Sequence, residues 1–181
     1  NHLDTVTFLV IFGTVATYGL AASPLAKLLG LSRDRNDGIL IAGADAWTRD
    51  FAQEFQKIGL PVLLVDTNYN KVAKAKIAGL DAICANILNE HVREDLELNG
   101  IGKLMALTQN DEVNSLAVRE CQTLFGSANL YQLTFRKQNQ HRQRGLTRNL
   151  MGRELFDPEL TYSKMEDIHA VGAKFKTTTL S

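Results

Sequence analysis

The sequence predicts an α/β fold: a doubly wound parallel sheet preceded by one transmembrane helix. Three observations predict it. Residues 5–26 carry no charged side chain, short continuous apolar runs alternate with amphipathic stretches from residue 38 onward, and several of those stretches stop at a glycine. Composition sets the outer limits. The 181 residues hold 20 Lys plus Arg against 20 Asp plus Glu and are 45% hydrophobic, which excludes a disordered or collagen-like chain. Zero formal net charge removes the global electrostatic reason to expect a nucleic-acid partner. Two cysteines, Cys84 and Cys121, cannot build a disulfide framework, and no Cys/His cluster has zinc spacing.

The uncharged run comes first. Its 22 residues, at about 1.5 Å each, span roughly 33 Å as a helix, against a bilayer hydrocarbon core of about 30 Å. Gly13, Gly19 and several Thr and Ala give it the composition of a helix packed against other membrane helices. Lys27, Arg33 and Arg35 follow, placing the C-terminal side in the cytoplasm by the positive-inside tendency. The chain opens Asn-His-Leu-Asp, without Met or a basic n-region. A secretory signal is therefore not expected, and the run is expected to be the last membrane helix of a larger polytopic protein. A long buried helix of a water-soluble protein is the other reading.

The alternation begins at residue 38. Residues 38–42, Gly-Ile-Leu-Ile-Ala, form a continuous apolar run and so a strand buried on both faces. Trp47, Phe51, Phe55 and Ile58 then recur at helical spacing, with Arg49, Asp50, Glu54 and Lys57 opposite. Gly59 ends that helix, with Pro61 beyond it. Residues 62–65 read as a second strand ending at Asp66, 69–78 as a helix, 82–85 as a third strand and 89–98 as a third helix of the domain. Residues 103–107 read as a fourth strand, and Val113 to Leu124 as a helix closed by Gly126. Residues 130–135 read as a fifth strand. Residues 154–172 read as mostly helical or irregular. Residues 175–180 alternate with high β-propensity and read as a terminal strand.

Alternation at this spacing implies right-handed crossovers and a Rossmann-like sheet, with ligands outside the carboxyl ends of the strands. The residues singled out are therefore 43–48, 66–68, 86 and 108–114. A dinucleotide turn reads Gly-x-Gly-x-x-Gly. Here the stretch is Gly43-Ala44-Asp45-Ala46-Trp47-Thr48, so the first glycine is kept, Asp45 takes the second position and Thr48 the third. Asp66 stands at the second strand tip, where an acid accepts ribose hydroxyls. Two like charges about 4 Å apart repel by roughly 4 kcal/mol at an effective dielectric of 20, so Asp45 opposes a pyrophosphate. Its structural role would be to N-cap the first helix of the domain, while Arg49 offers a countercharge.

Other chemistry has simpler explanations. His91, His141 and His169 are expected at the surface, and Cys84 and Cys121 as small core residues. Asp111 and Glu112 suit the first turn of a helix. Residues 136–148 hold Arg136, Lys137, Arg142, Arg144 and Arg148 without an acid. They read as a solvated connector, with a nucleic-acid patch or a contact with anionic headgroups as other readings.

The Gly43 turn, Val-Asp66, Ala85-Asn86 and the stretch Thr108-Gln-Asn-Asp-Glu-Val-Asn114 together resemble a regulator of K⁺ conductance (RCK, KTN or TrkA-N) domain over residues 37–135. The preceding Thr-Phe-Leu-Val-Ile-Phe-Gly-Thr-Val run is similar to the last membrane helix of monovalent cation:proton antiporters (Na⁺/H⁺ exchangers). The resemblance implies three parts: residues 1–36 as membrane helix and linker, 37–135 as the RCK N-terminal domain, and 136–181 as a basic connector and the start of a C-terminal extension. It also implies a bacterial inner-membrane protein with residues 27–181 cytoplasmic, joined to an upstream transmembrane transport domain and pairing as a homodimer. NAD(H) or an adenine nucleotide such as AMP would bind at the strand tips and regulate transport, without catalysis. By position, Gly43, Asp45 and Thr48 fall in the phosphate turn, Asp66 at the ribose, Asn86 on the adenine side, and Thr108 and Asp111 near ribose and phosphates. The alternatives are a soluble NAD(P)-dependent oxidoreductase and an assembly module that has lost nucleotide binding.

Overall fold

A computed structural model describes residues 2–28, 36–90, 98, 100–135 and 152–178. The chain divides into two compact units, Asn1–Arg35 and Asn36–Ser181.

The first unit is helix α1 (His2–Leu28). It forms over the uncharged run, and Thr14 and Thr17 turn their hydroxyls back onto the helix. Thr14 Oγ1 donates to the Val10 carbonyl at 2.9 Å, and Thr17 Oγ1 to the Gly13 carbonyl at 2.6 Å. Phe8, Ile11, Phe12, Val15 and Leu20 are exposed. The expected membrane crossing is corrected here: among the described residues, no helix is long and apolar enough to cross a membrane.

The second unit alternates as the sequence predicts. Its elements are β1 (Gly38–Ala42), α2 (Ala46–Lys57), β2 (Val62–Asp66), α3 (Tyr69–Ile77) and β3 (Asp81–Cys84). They are followed by β4 (Ile101–Ala106), α4 (Asp111–Glu120), α5 (Gln122–Phe125), β5 (Leu130–Gln132), β6 (Arg153–Glu154) and α6 (Tyr162–Ala170). The strands form one sheet in the order β3-β2-β1-β4-β5-β6, and every pairing is parallel. The chain starts at the centre, winds outward one way through β2 and β3, then returns to the other side of β1 with β4. That reversal between β1 and β4 is where such sheets open a crevice.

Central strand β1 shows why a continuous apolar run was needed. Successive side chains point to opposite faces, so Ile39 and Ile41 join Trp47, Phe51 and Leu64 in one core, while Leu40 and Ala42 join Leu104, Ala117 and Val118 in the other. The helices stop where the sequence predicts. Gly59, at a φ of +79°, adopts a conformation that L side chains rarely take. Its N–H donates to the Gln56 carbonyl at 2.9 Å and the Leu60 N–H to the Phe55 carbonyl at 3.1 Å, a pairing that satisfies the last carbonyls of α2.

Several expectations are revised. The fifth strand is shorter than predicted, ending at Gln132, and the helix read through Leu124 is divided at Cys121 into α4 and α5. Residues 153–154 add a sixth strand within the segment read as helical or irregular. Of the terminal strand read at 175–180, residues 175–178 are not a strand. Phe175 turns inward instead, its ring 4.9 Å from that of Phe51 and 6.5 Å from that of Trp47. Burying a phenyl group against two aromatic rings outweighs a lone edge pairing. Cys121 is buried, but Cys84 is exposed at the tip of β3, because that strand lies at the sheet edge. The basic stretch 136–148, His91, His141 and most of the helix read at 89–98 lie outside the described residues.

Leu64 is fully buried in the core beneath α2. We expect Leu64→Ala to lose about 2–5 kcal/mol of stability, measured as a lower urea midpoint with an unchanged m-value.

Candidate functional site

The carboxyl tips of β1, β2, β3 and β4 converge on a cavity of about 310 Å³, lined among others by Asp45, Asp66, Lys71, Asn86, Thr108 and Asn110. A larger, open hollow of about 900 Å³ lies beside Pro61, Leu63, Lys76 and Asp81, toward the amino ends of the strands. The smaller cavity holds the convergent polar groups and sits at the crevice that the topology creates, so it is the functional candidate.

Gly43 turns the chain out of β1. Its φ is +111°, and a Cβ there would sit 2.9 Å from the Leu107 carbonyl oxygen. Both the conformation and the close approach require glycine. The Gly43 N–H donates to the Val65 carbonyl at 2.8 Å. Asp66 then clamps the turn. Its Oδ2 accepts from the Ala44 N–H at 2.9 Å, and its Oδ1 accepts from the Asn68 N–H at 2.8 Å. Asn68 in turn caps α3, its Oδ1 accepting from the Asn70 N–H at 3.0 Å and the Lys71 N–H at 3.3 Å.

Asp45 occupies the N-cap position of α2, but its side chain makes no capping bond. This corrects the expectation that its carboxylate would consume the amides at the start of the helix. The carboxylate pairs instead with Lys71, Oδ1 to Nζ at 2.6 Å. Arg49 does not supply the countercharge expected of it: its Nη1 donates to the Ala44 carbonyl at 2.7 Å. Thr48 is buried, and its Oγ1 donates to the Asp45 carbonyl at 2.8 Å. The amino end of α2 therefore has no acidic side chain in its first turn and no side-chain cap hydrogen bond, although the Asp45 carboxylate stands beside it.

On the opposite wall, Asn114 secures the loop after β4. Its Oδ1 accepts from the Thr108 N–H at 2.9 Å and from Thr108 Oγ1 at 2.6 Å, and its Nδ2 donates to the Thr108 carbonyl at 2.9 Å. Asn110 caps α4, its Oδ1 accepting from the Glu112 N–H at 2.9 Å and the Val113 N–H at 3.3 Å. Asp111 is buried at the start of α4 and does not line the cavity. Asn86 does line it, and its Oδ1 accepts from the Leu88 N–H at 3.0 Å. Of the seven residues read from sequence, Asp45, Asp66, Asn86 and Thr108 border the cavity, Gly43 shapes the turn, Thr48 stands behind it, and Asp111 lies outside.

Two contributors had no signal in the sequence. Lys71 comes from the first turn of α3 and Tyr162 from α6. Burial, and then the nearby Asp45 carboxylate, hold the Tyr162 phenol far above its ordinary range. Among the described residues, the buried Trp47 indole N–H has no hydrogen-bond partner. It lies near enough to Tyr162 to favour the ionised phenol, a smaller and opposing effect. The two rings pack edge to face with centroids 5.8 Å apart. Among the described residues, no group of His, Cys, Asp and Glu is arranged to hold a metal ion.

The strand order, the glycine turn and the acid at the tip of β2 define a nucleotide-binding type of α/β domain. The chain belongs to the TrkA-N domain family, whose model matches residues 39–150. Among curated proteins, no sequence matches. Solved structures share the fold. The NAD(P)-binding domain of an exopolyphosphatase-related protein from Archaeoglobus fulgidus is 16% identical with a TM-score of 0.55, covering 74% of this chain and 96% of that one. The TrkA-N domain of the inner membrane protein YbaL from Escherichia coli is 11% identical with a TM-score of 0.52, covering 76% and 97%. The GsuK channel bound to NAD is 15% identical with a TM-score of 0.53, covering 84% of this chain and 28% of that channel.

Tyr162 makes a pH prediction. The folded protein keeps the phenol neutral beyond about pH 10, where an unfolded tyrosine ionises. Its contribution to stability is therefore fully present below about pH 10 and is lost as pH rises above that value. Urea midpoints across this range should fall less steeply for Tyr162→Phe than for the parent protein.

Proposed function

We propose that the chain is the cytoplasmic nucleotide-sensing domain of a bacterial monovalent cation:proton antiporter of the sodium/proton exchange class. It binds NAD(H) or an adenine nucleotide such as AMP, and it regulates transport instead of catalysing a reaction. One observation carries this reading: a strand-tip cavity that joins an acid at the end of β2 to an uncapped helix amino end. Membership of the TrkA-N family supports it, as does likeness to a domain of an inner membrane protein and to a channel bound to NAD.

The residues present fit a nucleotide. The cavity volume of about 310 Å³ lies at the lower end of the roughly 300–1,000 Å³ typical of ligand sites, which suits the adenosine end. Each Asp66 oxygen accepts one amide and keeps a lone pair for a ribose hydroxyl. Asn86 stands on the base side, and the amino end of α2 attracts a phosphate. A bound nicotinamide would supply hydride chemistry, but in this reading it reports the redox state by its occupancy. The polar groups nearby serve as clamps and caps: Asn114 holds Thr108, and Asn110 holds α4.

Regulation works by population shift. A ligand touching both the β2 side and the β4 side of the crevice favours one geometry of a homodimer, and that bias passes to an upstream transmembrane transport domain. The exposed apolar side chains of α1 support packing against such a domain, because a helix apolar all round requires a partner. Residues 1–36, 37–135 and 136–181 are then connection, sensor and extension, with residues 27–181 on the cytoplasmic side. An assembly module that no longer binds nucleotide is a second reading, favoured by the two amides already held by Asp66.

Isothermal titration of the full chain with NAD⁺, NADH, AMP and ATP tests the proposal. Heat without turnover is expected, and Asp66→Asn should weaken binding roughly ten- to hundredfold, the cost of a lost charged hydrogen bond. Reduction of a hydride acceptor would replace the sensor with an oxidoreductase. No heat with any ligand would leave the assembly module.

A further inference from the structure

The Asp45–Lys71 pair is neither a helix cap nor a surface ion pair. Its nitrogen and oxygen lie 2.6 Å apart, Asp45 is 18% exposed and Lys71 34%, and both residues border the strand-tip cavity. Among the described residues, Lys71 is the one cation lining that cavity, set against two acids, Asp45 and Asp66. The nearer cation in sequence, Arg49, is committed to the Ala44 carbonyl. Behind the pair, Tyr162 is buried, with the Asp45 carboxylate near enough to disfavour ionisation of its phenol.

This arrangement has a consequence for any ligand that carries charge. Asp45 stands at the start of α2, where the uncapped amino end would otherwise attract an anion. A phosphate arriving there meets a carboxylate first, and repulsion between like charges dominates unless a cation lies between them. Lys71 Nζ has three N–H donors on a flexible stem. It can keep one on Asp45 and turn another to the phosphate. An uncharged nucleoside needs none of this.

We infer that Lys71 is the residue that admits a phosphate to the strand-tip cavity, and that the Asp45–Lys71 pair makes the site discriminate ligands by charge. The inference rests on the reading that the cavity takes an adenine nucleotide. Lys71 is a specificity-determining residue in this account, and Asp45 is the group it offsets.

The test compares adenosine with AMP on the full chain. The readout is the ratio of their dissociation constants in the parent protein, Asp45→Asn, Lys71→Gln and the double variant. Thermal stabilisation by inorganic phosphate is measured on the same four proteins, with circular dichroism and melting temperature establishing that each is folded. Relative to adenosine, AMP should bind roughly tenfold tighter in Asp45→Asn and roughly tenfold weaker in Lys71→Gln, with the double variant near the parent. Phosphate should stabilise Asp45→Asn most and Lys71→Gln least. If the ratio and the phosphate response are the same in all four proteins, the pair is structural only and the inference is overturned, whether or not nucleotide binds. If no protein binds a nucleoside but the phosphate response follows the expected order, the charge discrimination stands and the nucleotide reading falls.

Discussion

Asp66 divides its carboxylate between two loops, one oxygen on the Ala44 amide and the other on the Asn68 amide. Ala44 follows the Gly43 turn, which approaches the Leu107 carbonyl so closely that a Cβ would meet its oxygen. Asn68 caps α3, the helix that delivers Lys71. A single ionised group therefore sets the distance between the turn after β1 and the helix after β2. Charge-assisted bonds of this kind are shorter and stronger than neutral ones, and one across to the turn after β1 with one local to the loop after β2 fix a geometry that backbone propensity alone would leave loose. The cavity's shape and the placement of its cation both derive from that division.

The parts of the fold that were legible in the sequence were those governed by local pattern. Residues 38–42 had to be buried on both faces because they contain no polar alternation, and β1 occupies the centre of the sheet. Gly59 and Gly79 announced helix ends because only glycine adopts their backbone conformation without strain. Asp66 was recognisable from its place at the end of an apolar run. Legibility failed where two surfaces competed for the same residues. Residues 175–178 have strand-forming composition, yet Phe175 is captured by Trp47 and Phe51. The outer position of β3 exposes Cys84, although the residue itself resembles a core side chain.

The electrostatics of the site were legible only in part. Asp45 could be placed at the phosphate turn from spacing alone. The partner it would choose could not, because an acid at an N-cap position has a nearby set of amides and a nearby arginine. In the folded chain it takes neither, turning to a lysine one helix away. Arg49 is removed from competition by the Ala44 carbonyl, a backbone acceptor that no side-chain pattern reveals. Contacts separated by this much chain are set by the packing of α2, α3 and α6 against the sheet, and packing has no period in the sequence.

The family match ends at residue 150, but the aromatic cover of α2 does not. Tyr162, Phe175 and Phe156 close over Trp47 and Phe51 from beyond that limit, and His169 Nε2 reaches Asp50 Oδ2 at 2.8 Å. A shortened version of this protein, cut where the domain conventionally stops, would bare an indole and a phenyl ring on one flank of the sheet. Exposed patches of that kind promote self-association. For anyone preparing this domain in isolation, the safe terminus lies beyond Phe175, not at the boundary that kinship suggests.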